Sequence, residues 1–78
     1  MINKYEIVLD YGFMKIEIRG ASSLDEVVEF LNSIEPERRA MYRTYQWRFL
    51  VRDLSSTDKF VFTFEDDDLH LHAVEVER

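Results

Sequence analysis

Two runs within residues 4–19 alternate between apolar and polar side chains, which is the period of a strand with one buried face. The apolar positions are Tyr5, Ile7, Leu9 and Tyr11, followed by Met14, Ile16 and Ile18. Gly12 lies between the two runs, where a tight turn needs a residue that tolerates a positive φ. Residues 4–19 are therefore predicted to form a β-hairpin, with Lys15, Glu17 and Arg19 on the outward face of its second strand.

A helical period replaces the alternation after Gly20. Ser23 and Glu26 have the spacing of a capping box, and acidic residues in the first turn suit the positive end of the helix dipole. The apolar residues at helical spacing are Leu24, Val27, Val28, Leu31 and Ile34. They predict one amphipathic helix over residues 24–34, packed on the sheet. Pro36 ends that helix and is also suited to the start of a short second helix over residues 37–43.

Alternation returns at residue 45 and continues nearly to the end of the chain. Residues 45–52 and 59–65 are predicted to form a second hairpin, with aromatic side chains along its inner face. Residues 69–77 are predicted to form a last strand, although the apolar parity changes between Leu71 and Val74. A β-bulge near Ala73 would restore the register, and partial covering of both faces by a second subunit is the alternative.

Together these elements predict an α+β fold in the order ββαβββ, an antiparallel sheet of four to five strands with one packed helix. Residues 1–78 are expected to form a single domain, because 78 residues are too few for two. A chain this short buries only about 60% of its unfolded surface, which favours a homodimer.

Absent residue types exclude several classes of chemistry. The chain has no Cys, so it has no disulfide and no thiol nucleophile, and no run of 18 apolar residues predicts a membrane span. A cytoplasmic location is expected, in the host cell if the chain is viral. No phosphate loop or nucleophile elbow is present, so neither an enzyme nor a cofactor is expected. His70 and His72 would share one face of a strand, which keeps a metal-binding protein as an alternative.

Positive charge is concentrated in one segment. Residues 36–52 hold five arginines and one acid, whereas the whole chain carries a net charge of −6. Arginines interleaved with aromatic residues are typical of single-stranded nucleic-acid sites. Direct nucleic-acid binding through Arg38, Arg39, Tyr42 and Arg43 is therefore an alternative function. The overall negative charge disfavours it, since affinity for phosphates grows with the cations presented. Pairing of these arginines with the protein's own acids would explain them equally well.

Acidic residues suggest a different function. The candidates for a partner-binding surface are Asp25, Glu26, Glu29, Asp66, Asp67, Asp68, Glu75 and Glu77. Regularly spaced carboxylates on a rigid surface can occupy the basic site of a nucleic-acid-binding protein. In size, acidity and lack of motifs the chain resembles the small inhibitors that bacteriophages make against host or defence proteins. The sequence thus predicts a small non-enzymatic protein that binds another protein by imitating DNA.

Overall fold

The computed structural model describes residues 3–66 and 68–76, and residues 73–76 by their backbone alone. The chain forms strands β1 (Tyr5–Asp10) and β2 (Lys15–Ala21), helices α1 (Leu24–Asn32) and α2 (Pro36–Thr44), and strands β3 (Arg48–Asp53), β4 (Asp58–Glu65) and β5 (Asp68–Val76). The strands join one sheet in the order β2-β1-β3-β4-β5, with antiparallel neighbours throughout. The predicted α+β class and antiparallel sheet are confirmed.

Both helices pack on one face of the sheet and close a single large core. α1 contributes Val27 and Leu31, and α2 contributes Tyr42. The sheet contributes alternating side chains from its three central strands, and the buried ones are Tyr5, Ile7, Leu9, Phe49, Val51, Phe62 and Phe64. Their alternation is the period-2 pattern of a sheet with one covered face.

The Ser23 half of the predicted capping box is confirmed at the start of α1, whereas the Glu26 carboxylate accepts from the N–H of Ser22 instead of that of the N-cap residue Ser23. The Ser23 side chain accepts a hydrogen bond from the backbone N–H of Glu26 at 3.1 Å. The helix ends at Asn32, two residues earlier than predicted, and Ser33 is its C-cap. The cap satisfies one of the backbone donors that a helix N-terminus leaves without an intrahelical partner.

The predicted order ββαβββ with one helix is wrong, whereas the short second helix predicted over residues 37–43 is confirmed as α2 and gives the order ββααβββ. Pro36 begins α2, where its missing N–H costs nothing. The helix also shortens the predicted third strand: Tyr45 is the C-cap of α2, Gln46 has a φ of 56°, and β3 starts only at Arg48. As a result Tyr45, predicted on the inner face of that strand, is 61% exposed.

A β-bulge changes the parity of β2. Ile7 is opposite Arg19 and Val8 is opposite Glu17, so Ile18 is an extra residue in β2. Arg19 therefore reaches the helix-covered side, where its guanidinium lies 4.9 Å from the ring centroid of Phe30. The predicted outward position of Arg19 is wrong for this reason. Residues 15–19 of this edge strand are all exposed.

The irregularity predicted near Ala73 is confirmed. Phe60 is opposite Val74 and Phe62 is opposite Leu71, so residues 72 and 73 of β5 face a stretch where β4 has only Val61. This bulge accounts for the change of apolar parity, and a covering subunit is not needed to explain it. Among the described residues, no helix is long and apolar enough to cross a membrane.

Candidate partner-binding surfaces

The sheet face opposite the helices is polar and nearly balanced in charge. Val8, Leu50 and Val61 form a small buried cluster on it. Around them lies a shallow depression of about 400 Å³, whose charged lining residues are Glu6, Lys15, Glu17, Arg52 and Lys59. The aliphatic stems of such side chains cover apolar neighbours while their charged ends stay in water.

Ion pairs neutralise the acids of β1 on this face. Arg48 Nε lies 3.1 Å from Asp10 Oδ2, and Arg52 forms an ion pair with Glu6. Asp10 is buried, and its Oδ1 also accepts a hydrogen bond from the Gly12 N–H at 2.8 Å. The prediction that the arginines of β3 pair with the protein's own acids is confirmed for Arg48 and Arg52. An acidic docking surface must therefore lie elsewhere.

Helix α1 carries acids on its solvent-facing side. Asp25 and Glu29 are exposed and four residues apart, so they stand on one face about 6 Å apart along the axis. The segment from residue 20 to residue 35 holds four acids and no Lys or Arg. The cation that contacts this helix comes from β2, where Arg19 pairs with Glu26, and the carboxylates of Asp25 and Glu29 remain exposed.

Glu26 has a structural role in the same helix turn. Its Oε2 accepts hydrogen bonds from the Ser22 hydroxyl and the Ser22 N–H, and its Oε1 lies 3.6 Å from Arg19 Nη2. The Ser22 hydroxyl, then the Ser22 backbone and the charge of Arg19, lower the pKa of Glu26 below its ordinary value. Of the three predicted acids on α1, Asp25 and Glu29 are thus the two turned fully to solvent.

The β4–β5 turn carries the second predicted acidic group. Asp66 and Asp68 are exposed, and Asp66 adopts a φ of 57°. The carbonyl of Asp66 accepts a hydrogen bond from Arg43 Nη1 of α2. Asp67 and Glu77 lie outside the described residues. The backbone of Glu75 pairs with that of Lys59 in the ladder between β4 and β5, and its side chain is outside the description.

The two acidic groups lie at opposite corners of the sheet. α1 starts beside Ala21, which pairs with Tyr5 at one end of the edge strand β2. The β4–β5 turn borders the other edge strand, at the end of the sheet where Asp10 pairs with Arg48. The structure therefore brings Asp25 and Glu29 together, and Asp66 and Asp68 together, but it does not join the pairs into one patch.

The basic stretch does not form an aromatic stacking site around Tyr42. Tyr42 is buried in the core, where its ring meets Phe49 edge-on at a centroid distance of 5.2 Å and stacks on Phe64 at 6.5 Å. The predicted role of Tyr42 in stacking a nucleic-acid base is wrong, because the core occupies the space around its ring. Arg38 and Arg43 are exposed and Arg39 is half-buried, with Arg43 engaged at the acidic turn.

The two histidines converge on one carboxylate. His72 Nε2 lies 3.1 Å and His70 Nδ1 lies 3.6 Å from Glu65 Oε2, and His72 also forms a hydrogen bond with Thr63. The prediction that both histidines share a strand face is confirmed. Among the side chains of residues 3–66 and 68–72, however, no group of three or more His, Asp or Glu has the arrangement of a metal site.

Comparisons with known proteins return nothing similar: no family model, no curated protein and no solved structure matches the chain.

Proposed function

We propose that this protein is a non-enzymatic binding module that occupies the basic surface of a nucleic-acid-binding protein. The exposed acidic side of α1, with Asp25 and Glu29 on one face, is the observation that carries the proposal. Helix packing and the Ser23 cap hold the backbone at these two positions in place, so a partner need not order this segment when it binds. Rigid negative charge also steers association with a basic surface.

The acidic turn between β4 and β5 is proposed as a second, separate contact. It lies at the corner of the sheet opposite the start of α1, and Arg43 donates a hydrogen bond to the Asp66 carbonyl there. A partner that covers α1 need not reach it, so the two acidic groups can be tested one at a time. The charge-balanced sheet face contributes less to a basic partner, because Arg48 and Arg52 already pair with its acids.

Paired neutralising variants test the proposal. Asp25→Asn with Glu29→Gln, and Asp66→Asn with Asp68→Asn, each remove two negative charges at opposite corners of the sheet. Each protein is immobilised beside the unchanged chain, exposed to a lysate of its source or host cell at low salt, and eluted with a salt ramp. The expected result is a basic nucleic-acid-binding protein that duplex DNA displaces and that the helix variant fails to retain.

Equal retention by the helix variant and the unchanged chain would contradict the role of α1. Loss only in the turn variant would move the contact to residues 66–68. Recovery of nucleic acid, together with a shift of labelled oligonucleotide that Arg38→Ala with Arg43→Ala abolishes, would replace the proposal with direct nucleic-acid binding. All four exposed acids lie outside the core, so thermal stability should change little in either variant.

A further inference from the structure

Exposed apolar side chains recur at every second residue along the start of the edge strand β2 and at Met14 just before it. Met14, Ile16 and Ile18 are 50%, 42% and 41% exposed, although an alternating apolar run in a strand normally marks a buried face. An exposed edge also presents backbone donors and acceptors that can pair with another strand. These two properties together are typical of a strand that pairs with a strand of another chain.

The direction of the backbone groups restricts how such a pair can form. Tyr11 N–H donates to the Met14 carbonyl at 2.8 Å, so the backbone of Met14 faces β1. Backbone direction alternates along an antiparallel strand, and the N–H and C=O groups of Lys15 and Glu17 therefore point away from β1. Ile16, opposite Leu9, again faces β1. A second strand must hydrogen-bond to Lys15 and Glu17.

The charge pattern of β2 then favours β2 of a second copy as the pairing strand, in one particular register. Consider β2 paired antiparallel with β2 of a second copy, with Ile16 of each copy at the centre. Lys15 of each copy then lies opposite Glu17 of the other, which gives two pairs of opposite charge. Shifting the centre to Lys15 or to Glu17 places two like charges opposite each other, which is destabilising. The register centred on Ile16 also places Ile16 opposite itself and Met14 opposite Ile18, so every apolar side chain of the edge meets another one.

We propose that two copies of this chain pair through their β2 edges around Ile16, forming one continuous ten-stranded sheet from two five-stranded ones. Four backbone hydrogen bonds join the copies, two at each Lys15–Glu17 pair. The bulge at Ile18 ends the regular ladder, so the contact extends from Met14 to Ile18. The proposed pairing uses residues 14–18 and neither Asp25 nor Glu29, so this inference does not rest on the proposed function.

Exchange of the two charges tests the register. Lys15→Glu places the new carboxylate opposite Glu17 of the second copy, and Glu17→Lys places two ammonium groups opposite each other. Each single variant should raise the dimer dissociation constant about tenfold, because two attractive pairs become repulsive. The double variant Lys15→Glu with Glu17→Lys restores both pairs and should return the constant to within about threefold of the original. Sedimentation equilibrium over a range of protein concentrations measures these constants.

A single cysteine tests the same geometry covalently, because the chain has no Cys of its own. In the proposed register Ile16 faces its own copy at a non-hydrogen-bonded position, where Cα atoms lie about 4.5 Å apart and a disulfide fits. Ile16→Cys should therefore form a covalent dimer under mild oxidation. Ile18→Cys is the matched control, since Ile18 is equally exposed but faces Met14.

Two results would overturn the proposal. The first is an unchanged chain that sediments as a monomer at every concentration up to the millimolar range. The second is a double variant whose dimer dissociates as readily as the dimers of the single variants. Crosslinking of Ile18→Cys as fast as that of Ile16→Cys would equally contradict the register. Thermal melting of each variant verifies that it folds. The melting temperature should be nearly unchanged, because the substituted β2 side chains lie outside the buried core.

Discussion

Strands β2 and β3 flank the same strand, β1, and have similar alternating sequences, but only β3 places its alternating side chains in the core, to which β2 contributes Ala21 at its end. Leu9 shows the contrast at one position, because it lies opposite Ile16 of β2 on one side and Phe49 of β3 on the other. Ile16 is 42% exposed, whereas Phe49 is fully buried. β3 has a strand on each side and Tyr42 of α2 above it, whereas β2 ends the sheet. An alternating pattern therefore identifies a strand, and the neighbours of that strand decide what it buries.

Alanine substitution at Phe49 and at Ile16 should give the largest difference in the free energy of unfolding. Phe49→Ala removes a fully buried ring that contacts Tyr42 and Phe64, and should lower the free energy of unfolding by about 3–5 kcal/mol. Ile16→Ala should cost about 1 kcal/mol or less, because its side chain is already partly in water. Urea denaturation of dilute protein, where a dimer does not contribute, measures both. Equal costs would show that β2 is as much a part of the core as β3.

Two acids provide a second, smaller contrast. Asp10→Ala removes the acceptor for both Arg48 Nε and the Gly12 N–H, and should cost about 1–3 kcal/mol because these groups are partly buried. Glu17→Ala, on the exposed side of β2, should change the free energy of unfolding by less than about 0.5 kcal/mol. The same denaturation experiment serves for both variants. A larger loss of unfolding free energy at Glu17 than at Asp10 would contradict the difference between the exposed edge strand β2 and the interior strand β1.

The smallest effect is expected where β2 joins α1, and it depends on pH. The folded pKa of Glu26 lies below its ordinary value, chiefly because the Ser22 hydroxyl donates to its carboxylate. The resulting stabilisation is present above that ordinary value and is lost as the pH falls through the folded pKa. When the pH is lowered from neutral to about pH 3, the melting temperature of Ser22→Ala should therefore fall by less than that of the unchanged chain.

A matched control lies in the β3–β4 turn. There the Ser55 hydroxyl, followed by the Ser55 N–H, lowers the pKa of Asp53. Ser55→Ala should reduce the acid sensitivity of stability in the same direction. An unchanged pH dependence in Ser22→Ala, with a reduced one in Ser55→Ala, would show that the Glu26 contacts do not stabilise the junction of β2 and α1.

Local chemistry made most elements predictable from the sequence. Ser23 and Pro36 mark helix starts, Gly12 with a φ of 95° marks the first turn, and the phenylalanines of β4 mark its inner face. The bulge in β5 was predictable because Val74 changed the apolar parity. The bulge in β2 had no such signal, since Ile18 keeps the alternation in the sequence while taking an extra place in the ladder.

The candidate sites were less predictable because they depend on strand order. Nothing local to β2 shows that it is an edge, so its exposed isoleucines looked like core residues. Nothing local to residues 36–44 shows that Tyr42 enters the core, because its neighbours Arg39 and Arg43 suggest a solvent-facing surface. The pairing of Arg48 with Asp10 spans 38 residues and follows only from the placement of β3 beside β1.

Trp47, the single tryptophan of the chain, lies at the junction of α2 and β3 among tyrosines. Its ring centroid is 4.5 Å from that of Tyr11, 5.0 Å from Tyr45 and 6.0 Å from Tyr42. At these separations, light absorbed by the tyrosines is transferred to the indole before they can emit. The emission of these three tyrosines should therefore be quenched in the native protein, and an increase in tyrosine emission would report the separation of α2 from the sheet without any added label.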